Sequence, residues 1–188
     1  MAQTAPSCQV AIIGTVGVGK SCFMTYFLKG KFESYDPTVS DIYRKQVEEP
    51  SILVEFLDVD SLQDFPVLFE HCIRVSDGII MAFSITNRES FLMLPSFLES
   101  IANLREEKVP AVVLATQCDI EERRVVTVHE AFQFAASNCL PYYESSSKFA
   151  VNVDNAVKDV LRQILVWFET RPRKVAYRSQ TKKQCFIC

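Results

Sequence analysis

Apolar and polar positions along the chain follow two rhythms. GIIMAFSI (78–85) is apolar almost throughout, the pattern of a strand buried on both faces. CQVAIIG (8–14), SILVEFL (51–57) and AVVLATQ (111–117) are apolar runs of strand length, and Pro50 marks the turn before the second. DIYRKQVE (41–48) alternates like a strand with one solvated face, and PYYESS (141–146) reads as a short strand. Between them lie stretches with helical spacing. KSCFMTYFLKG (20–30) ends at Gly30, PVLFEHCIRV (66–75) is short, and ESFLMLPSFLESIANLREE (89–107) carries Pro95 in its middle, where a proline breaks the ladder. TVHEAFQFAASN (127–138) and the long amphipathic VNVDNAVKDVLRQILVWFE (151–169) complete the set. The order β-α-β-β-α-β-α-β-α-β-α implies an α/β fold of three layers. It has a mostly parallel six-stranded sheet with one antiparallel strand, about five flanking helices, and ligand loops at the strands' C-terminal ends.

Composition narrows the class. A chain of 188 residues with 48% apolar residues is one domain with a sizeable core. The N-terminal MAQTAPSC has no signal pattern, its second residue is not the glycine that myristoylation needs, and no apolar run reaches membrane-span length. The seven cysteines are odd in number and scattered, which predicts reduced cytosolic thiols, most of them small core residues. His71 and His129 lie far apart with no cysteine pair beside them, which argues against a zinc site. Charge divides the chain. Of 20 basic and 23 acidic residues, six basic ones and no acid follow Glu169, so residues 1–169 carry net −9 and the tail carries +6. An acidic body argues against nucleic-acid binding, and a basic tail argues for an anionic surface.

GTVGVGKS (14–21) matches G-x-x-x-x-G-K-[ST] in full, between a strand and a helix, the context this phosphate-binding loop requires. Gly14 and Gly19 are expected to let the backbone curl so that N–H groups face a phosphate, with the helix N-terminus behind them. Lys20 is placed to reach the β- and γ-phosphates, and the Ser21 hydroxyl to ligate Mg²⁺. TQCD (116–119) closes another strand on the same side. A carboxylate at Asp119 can accept two hydrogen bonds from the N1–H and exocyclic amine of guanine, whereas adenine would leave it unpaired. SSK (146–148) ends the next strand. A backbone N–H there could meet the guanine O6, and the Lys148 stem could cover a base face.

With these motifs in order, from about residue 8 to the C-terminus, the chain resembles the Ras family of small GTPases. GTVGVGKS, YDPTVSDIY (35–43), the strand-ending Asp58, TQCD, ESSSK (144–148) and CFIC (185–188) carry the resemblance. It implies a P-loop NTPase fold and binding of GTP/GDP with Mg²⁺. The nucleotide set would be Gly14, Val16, Gly17, Val18, Gly19, Lys20, Ser21, Cys22, Phe32, Tyr35, Thr38, Asp58, Thr116, Gln117, Asp119, Ser146, Ser147 and Lys148. Ser21, Thr38 and, through water, Asp58 would hold the metal. Phe32 would stack on the guanine, with core packing as the alternative for an aromatic after a helix end. Thr116 and Gln117 stand where most Ras proteins have Asn and Lys, a pair that some Rho-family proteins share. Tyr35, Asp36, Pro37, Thr38, Val39, Ser40, Asp41, Ile42 and Tyr43 would form the effector segment. Ser40 stands where Ras proteins usually place an acid. Protein effectors are expected at 35–43 and 59–75, on a monomer.

Two departures bear on hydrolysis. After Asp58 the family reads Thr-Ala-Gly-Gln, and this chain reads Val59, Asp60, Ser61, Leu62. Leu62 has no polar atom with which to orient the attacking water, Ser61 lacks a glycine's freedom, and Asp60 brings a negative charge near phosphates. A one-residue slip would bring Gln63 into the Gln position. However, IRVSDGIIMAF keeps the family's spacing from Asp58, so the slip would need a compensating deletion. Val16 stands where the family usually has glycine, intruding on space used by that glutamine and by an activator's arginine finger, worth about 10³–10⁵ in rate. No intact catalytic group is expected.

CFIC fits C-a-a-X, with Cys185 the prenyl acceptor by position. One prenyl chain anchors weakly, and the six basic residues of the tail supply the second signal. The expectation is a small GTPase domain at 1–169 and a basic tail at 170–188, on the cytoplasmic face of a membrane, most simply the plasma membrane. It would be a GTP/GDP switch with impaired hydrolysis, GTP-bound by default. A slow GTPase restored by a partner, or a nucleotide-insensitive tethered scaffold, are the alternatives.

Overall fold

The computed structural model describes residues 6–32, 42–59 and 66–170. Expectations placed on Tyr35–Asp41, on residues 60–65 (Leu62 and Gln63 among them) and on 171–188, with Cys185, lie outside the described residues.

The elements run β1 (Ser7–Ile13), α1 (Lys20–Lys29), β2 (Ile42–Val47), β3 (Ile52–Val59), α2 (Pro66–Val75), β4 (Gly78–Ser84), α3 (Arg88–Leu92), α4 (Leu94–Leu104), β5 (Ala111–Thr116), α5 (Val128–Ser137), β6 (Tyr142–Glu144) and α6 (Val153–Thr170), with a 3₁₀ turn at Glu121–Arg123. The six strands form one sheet in the order β2-β3-β1-β4-β5-β6. Only the β2–β3 pair is antiparallel. The three-layer architecture expected from the alternation of elements is the one observed.

Alternation along the strands sorts the core into two layers. Val10, Ile12, Val54, Phe56, Ile80, Ala82, Val112 and Leu114 pack beneath α1 and α6, against Phe23, Phe27, Val157, Val160 and Ile164. Their neighbours Ala11, Ile13, Leu57, Ile79, Met81, Phe83, Val113 and Ala115 face the other way, onto Phe69, Phe91, Phe97, Ala131 and Ala135. Because both faces are covered, β4 and β5 are buried at every position, so they read as unbroken apolar runs.

Three expectations change. The single helix over 89–107 is two helices meeting at Met93, with Pro95 in the first turn of α4, where its missing N–H costs no ladder bond. Asp58 does not end its strand: β3 runs one residue further because Asp58 and Val59 pair with Ile12 and Ile13 of β1. Among the described residues, the cysteines are not mostly core. Cys8 and Cys72 are buried, Cys22 and Cys118 are partly exposed and Cys139 is exposed.

Candidate functional site

The loop from Gly14 to Gly19 leaves β1 at the centre of the sheet and delivers the chain into α1. Its glycines do different jobs. Gly17 and Gly19 have φ of +79° and +88°, the left-handed region that L side chains avoid. Gly14 needs no such freedom. A Cβ there would lie 2.4 Å from the Ala82 carbonyl oxygen, so glycine lets β1 exit against β4, and the curl expected of it belongs to Gly17. Val18 is fully buried and pins the loop to the core, whereas Val16 is 61% exposed.

Lys20 is 3% exposed, and its Nζ donates to the Gly14 and Thr15 carbonyls at 3.0 and 3.1 Å. The loop's own oxygens thus hold the ammonium at its mouth. The Ser21 hydroxyl donates to Asp58 Oδ2 at 2.7 Å, bringing a hydroxyl from α1 and a carboxylate from β3 together. Two hard oxygen donors side by side suit Mg²⁺.

On the other side of the helix N-terminus lies a cleft of about 530 Å³. Gly19, Cys22, Phe32, Thr116, Gln117, Asp119, Ser147 and Lys148 line it together with Ile120, Glu122 and Arg123. Eight of the expected nucleotide residues, from four separate segments of the chain, therefore meet at one place. Phe32 is half exposed at the rim, which answers the core-packing alternative. Val16 and Gly17 line a neighbouring hollow of about 520 Å³ with Ser84, Thr86, Gln117 and Val125. Ser146 is set apart. It is 1% exposed, its N–H donates to the Val151 carbonyl and its Oγ accepts from the Phe149 N–H. Its amide is occupied, so a backbone donor for a base must come from Ser147 or Lys148.

Two tethers hold the cleft's walls. The Thr116 hydroxyl lies within bonding distance of the Val18 carbonyl in the phosphate loop and of Phe83 O, 2.9 Å away in β4. Arg124 grips both carboxylate oxygens of Glu144 at 2.8 and 3.0 Å and reaches Glu121 with Nε. This joins the 3₁₀ turn that lines the cleft to the end of β6, and hydrogen bonds to Glu121 and then Glu144 push the guanidinium pKa up. Cys118 N–H donates to Ser145 O and Ser145 N–H to Ala115 O, stitching the loops after β5 and β6. Burial, then Glu144 and Asp119, raise the Cys118 thiol above its ordinary range.

Ile120, Glu122, Arg123 and Arg124 were not singled out from the sequence, and Glu144 entered only as part of PYYESS and ESSSK. Arg124 and Glu144 stand 20 positions apart with nothing local to link them. Tyr43 lies in β2, away from the cleft, and the rest of the effector segment except Ile42 is outside the described residues.

The Ras family model matches residues 9–166. Ras-like protein rasU of Dictyostelium discoideum is 32% identical over 157 residues, covering 82% of this chain and 74% of the relative. Ras-related protein Ral-B of Rattus norvegicus is 35% identical over 161 residues, covering 83% of this chain and 78% of the relative. A family match over residues 9–166, laid over a phosphate loop, a base loop and the sheet order that joins them, has one reading: the chain belongs to the Ras family, the family of GTP-binding switches.

Proposed function

We propose that this chain is a guanine-nucleotide switch that binds Mg²⁺–GTP and GDP but hydrolyses GTP slowly or not at all, and so rests in the GTP form. The observation that carries the binding half is the cleft between Gly19 and Asp119, into which Phe32 and Lys148 also open. In this reading the loop amides at 17–19 and Lys20 hold the phosphates, and Asp119 accepts from the guanine edge. Thr116 keeps those two recognition loops at a fixed separation. Ser21 and Asp58, with Thr38, are the residues suited to Mg²⁺, which when bound would neutralise charge between the β- and γ-phosphates.

The hydrolytic half rests on what is missing. Leu62 cannot orient water, and the exposed Val16 side chain stands beside the loop where an activating arginine would enter. Each departure removes transition-state stabilisation without touching the groups that bind the ground state. The tail, with Cys185 and its six basic residues, anchors the protein to the cytoplasmic face of a membrane, and effectors dock at 35–43 and 59–75.

Displacement of a fluorescent GDP analogue tests binding. GTP competes and ATP does not, and Asp119→Asn shifts preference to xanthine nucleotides. Equal competition by ATP defeats the proposal. Single-turnover hydrolysis tests the second half: brisk turnover by the unmodified chain means that Gln63, not Leu62, takes the water-positioning place.

A further inference from the structure

Gln117 is gripped from behind. It leaves β5 in the left-handed region, with φ +61°, and its side chain forms the partition between the cleft and the neighbouring hollow. Its Oε1 lies 2.5 Å from Ser84 Oγ and 3.1 Å from Thr86 Oγ1. Those two hydroxyls are 2.8 Å apart, and the Thr86 N–H donates to Ser84 Oγ at 3.1 Å. Ser84 ends β4, is 2% exposed and sits in register with Thr116, so its position is set by the sheet.

The contacts themselves place the amide oxygen against the two hydroxyls. A hydroxyl has one proton to donate and two lone pairs. Ser84 Oγ already accepts from the Thr86 amide, and its own proton goes to the nearest acceptor, Gln117 Oε1. The single Thr86 hydroxyl proton serves either the same oxygen at 3.1 Å or Ser84 Oγ at 2.8 Å. With Oε1 engaged on the hollow side, Nε2 faces the phosphate loop, 4.0 Å from where a Cβ on Gly19 would stand. The side chain thus presents N–H groups to the space expected to hold a polyanion, and keeps its oxygen away from it. An unheld glutamine would turn over, or pay the entropy of ordering when ligand binds.

We infer that Ser84 and Thr86 are positioning residues for nucleotide binding: their hydroxyls lock the Gln117 amide with its donors toward the ligand, which lets a neutral glutamine serve where the family usually places a lysine. The inference rests on the guanine-nucleotide reading above.

Release of fluorescent GDP from the full chain, with Mg²⁺ present, tests it. Thr86→Val combined with Ser84→Ala is expected to speed release about tenfold, the worth of a lost hydrogen bond. Gln117→Met does the same alone, and adding the two hydroxyl deletions to it changes nothing further. Thr86→Ser, which keeps the hydroxyl, releases at the original rate. In a Gln117→Lys background the hydroxyl deletions have no effect. Should buried Ser84→Ala fail to fold, Thr86→Val with Gln117→Met completes the cycle. Unchanged release in the hydroxyl variants, or effects that add to Gln117→Met, overturns the inference while leaving nucleotide binding intact. Failure of the unmodified chain to bind the probe overturns both.

Discussion

Replacing Thr116 by valine removes one proton and almost no volume. That proton is shared between the carbonyls of Val18 and Phe83, on opposite sides of the join between the phosphate loop and β4. Thr116 is 4% exposed, so water cannot take the hydroxyl's place without opening the structure. Leaving a buried acceptor without its donor costs about 1–3 kcal/mol. A chain of this size melts roughly 2–4 °C lower per kcal/mol, so a mid-range loss of about 2 kcal/mol appears as a drop of about 4–8 °C. To the extent that nucleotide already holds the two loops together, the same penalty appears instead as faster release, about tenfold for each 1.4 kcal/mol. Thermal melting and fluorescent-GDP release measured on one preparation capture both shares. Thr116→Ser separates donor from packing: it retains the proton, loses one methyl worth about 0.8 kcal/mol, and should keep the original release rate. If Thr116→Val melts within a degree of the parent and releases GDP at the parent rate, the hydroxyl is not the tether described.

Gly14→Ala is expected to destabilise far more than Gly78→Ala in denaturant titration. The first Cβ would meet the Ala82 backbone at 2.4 Å, and the second the flexible end of Ile164 at 2.6 Å. Arg124→Gln leaves Glu144 without its bidentate partner and should lower the melting temperature and speed GDP release, whereas Arg88→Gln, removing an exposed pair with Glu130, should do neither measurably. Alkylation followed by mass spectrometry at pH 8 should label exposed Cys139 and spare Cys8. Burial, then Asp77, push the Cys8 thiol up to about 12, so raising the pH to 10 still leaves it protonated and unlabelled in the native protein. Cys185→Ser should move the protein from the membrane to the soluble fraction. Neutralising Arg171, Arg173, Lys174, Arg178, Lys182 and Lys183 should only weaken attachment, since the lipid remains.

The sheet was legible because its strands carry the pattern of their burial. β4 and β5 are covered on both faces and read as continuous apolar runs. The split at Met93 was legible only in part: Pro95 marks a break, but the apolar spacing continues across it. The Asn87 cap, which accepts from the Ser90 N–H, starts α3, and Pro95, which has no N–H to extend that ladder, sits in the first turn of α4. At the site, residues announced by local motif come together: Gly19 of the phosphate loop, Asp119 and Lys148 line one cleft. Residues that act through a partner distant in sequence were invisible. Ser84 and Thr86 look like an ordinary strand end until Gln117, some thirty positions on, is folded against them. Thr116 shows the same limit from the other side. In the sequence it is a departure from asparagine. In the fold its hydroxyl bonds the phosphate loop.

The strand order has a temporal side. β1, the first of the described strands in chain order, lies between β3 and β4, and the cleft needs residues as far apart in sequence as Gly19 and Lys148. At roughly 5–20 residues per second on a ribosome, the phosphate loop exists for on the order of ten seconds before the base loop that completes its pocket has been made. Until then nucleotide has only half a site to hold. Ligand cannot guide the early steps of folding. It arrives as the final brace, joining segments from Gly19 to Lys148 after the sheet's central strand has gained both of its neighbours.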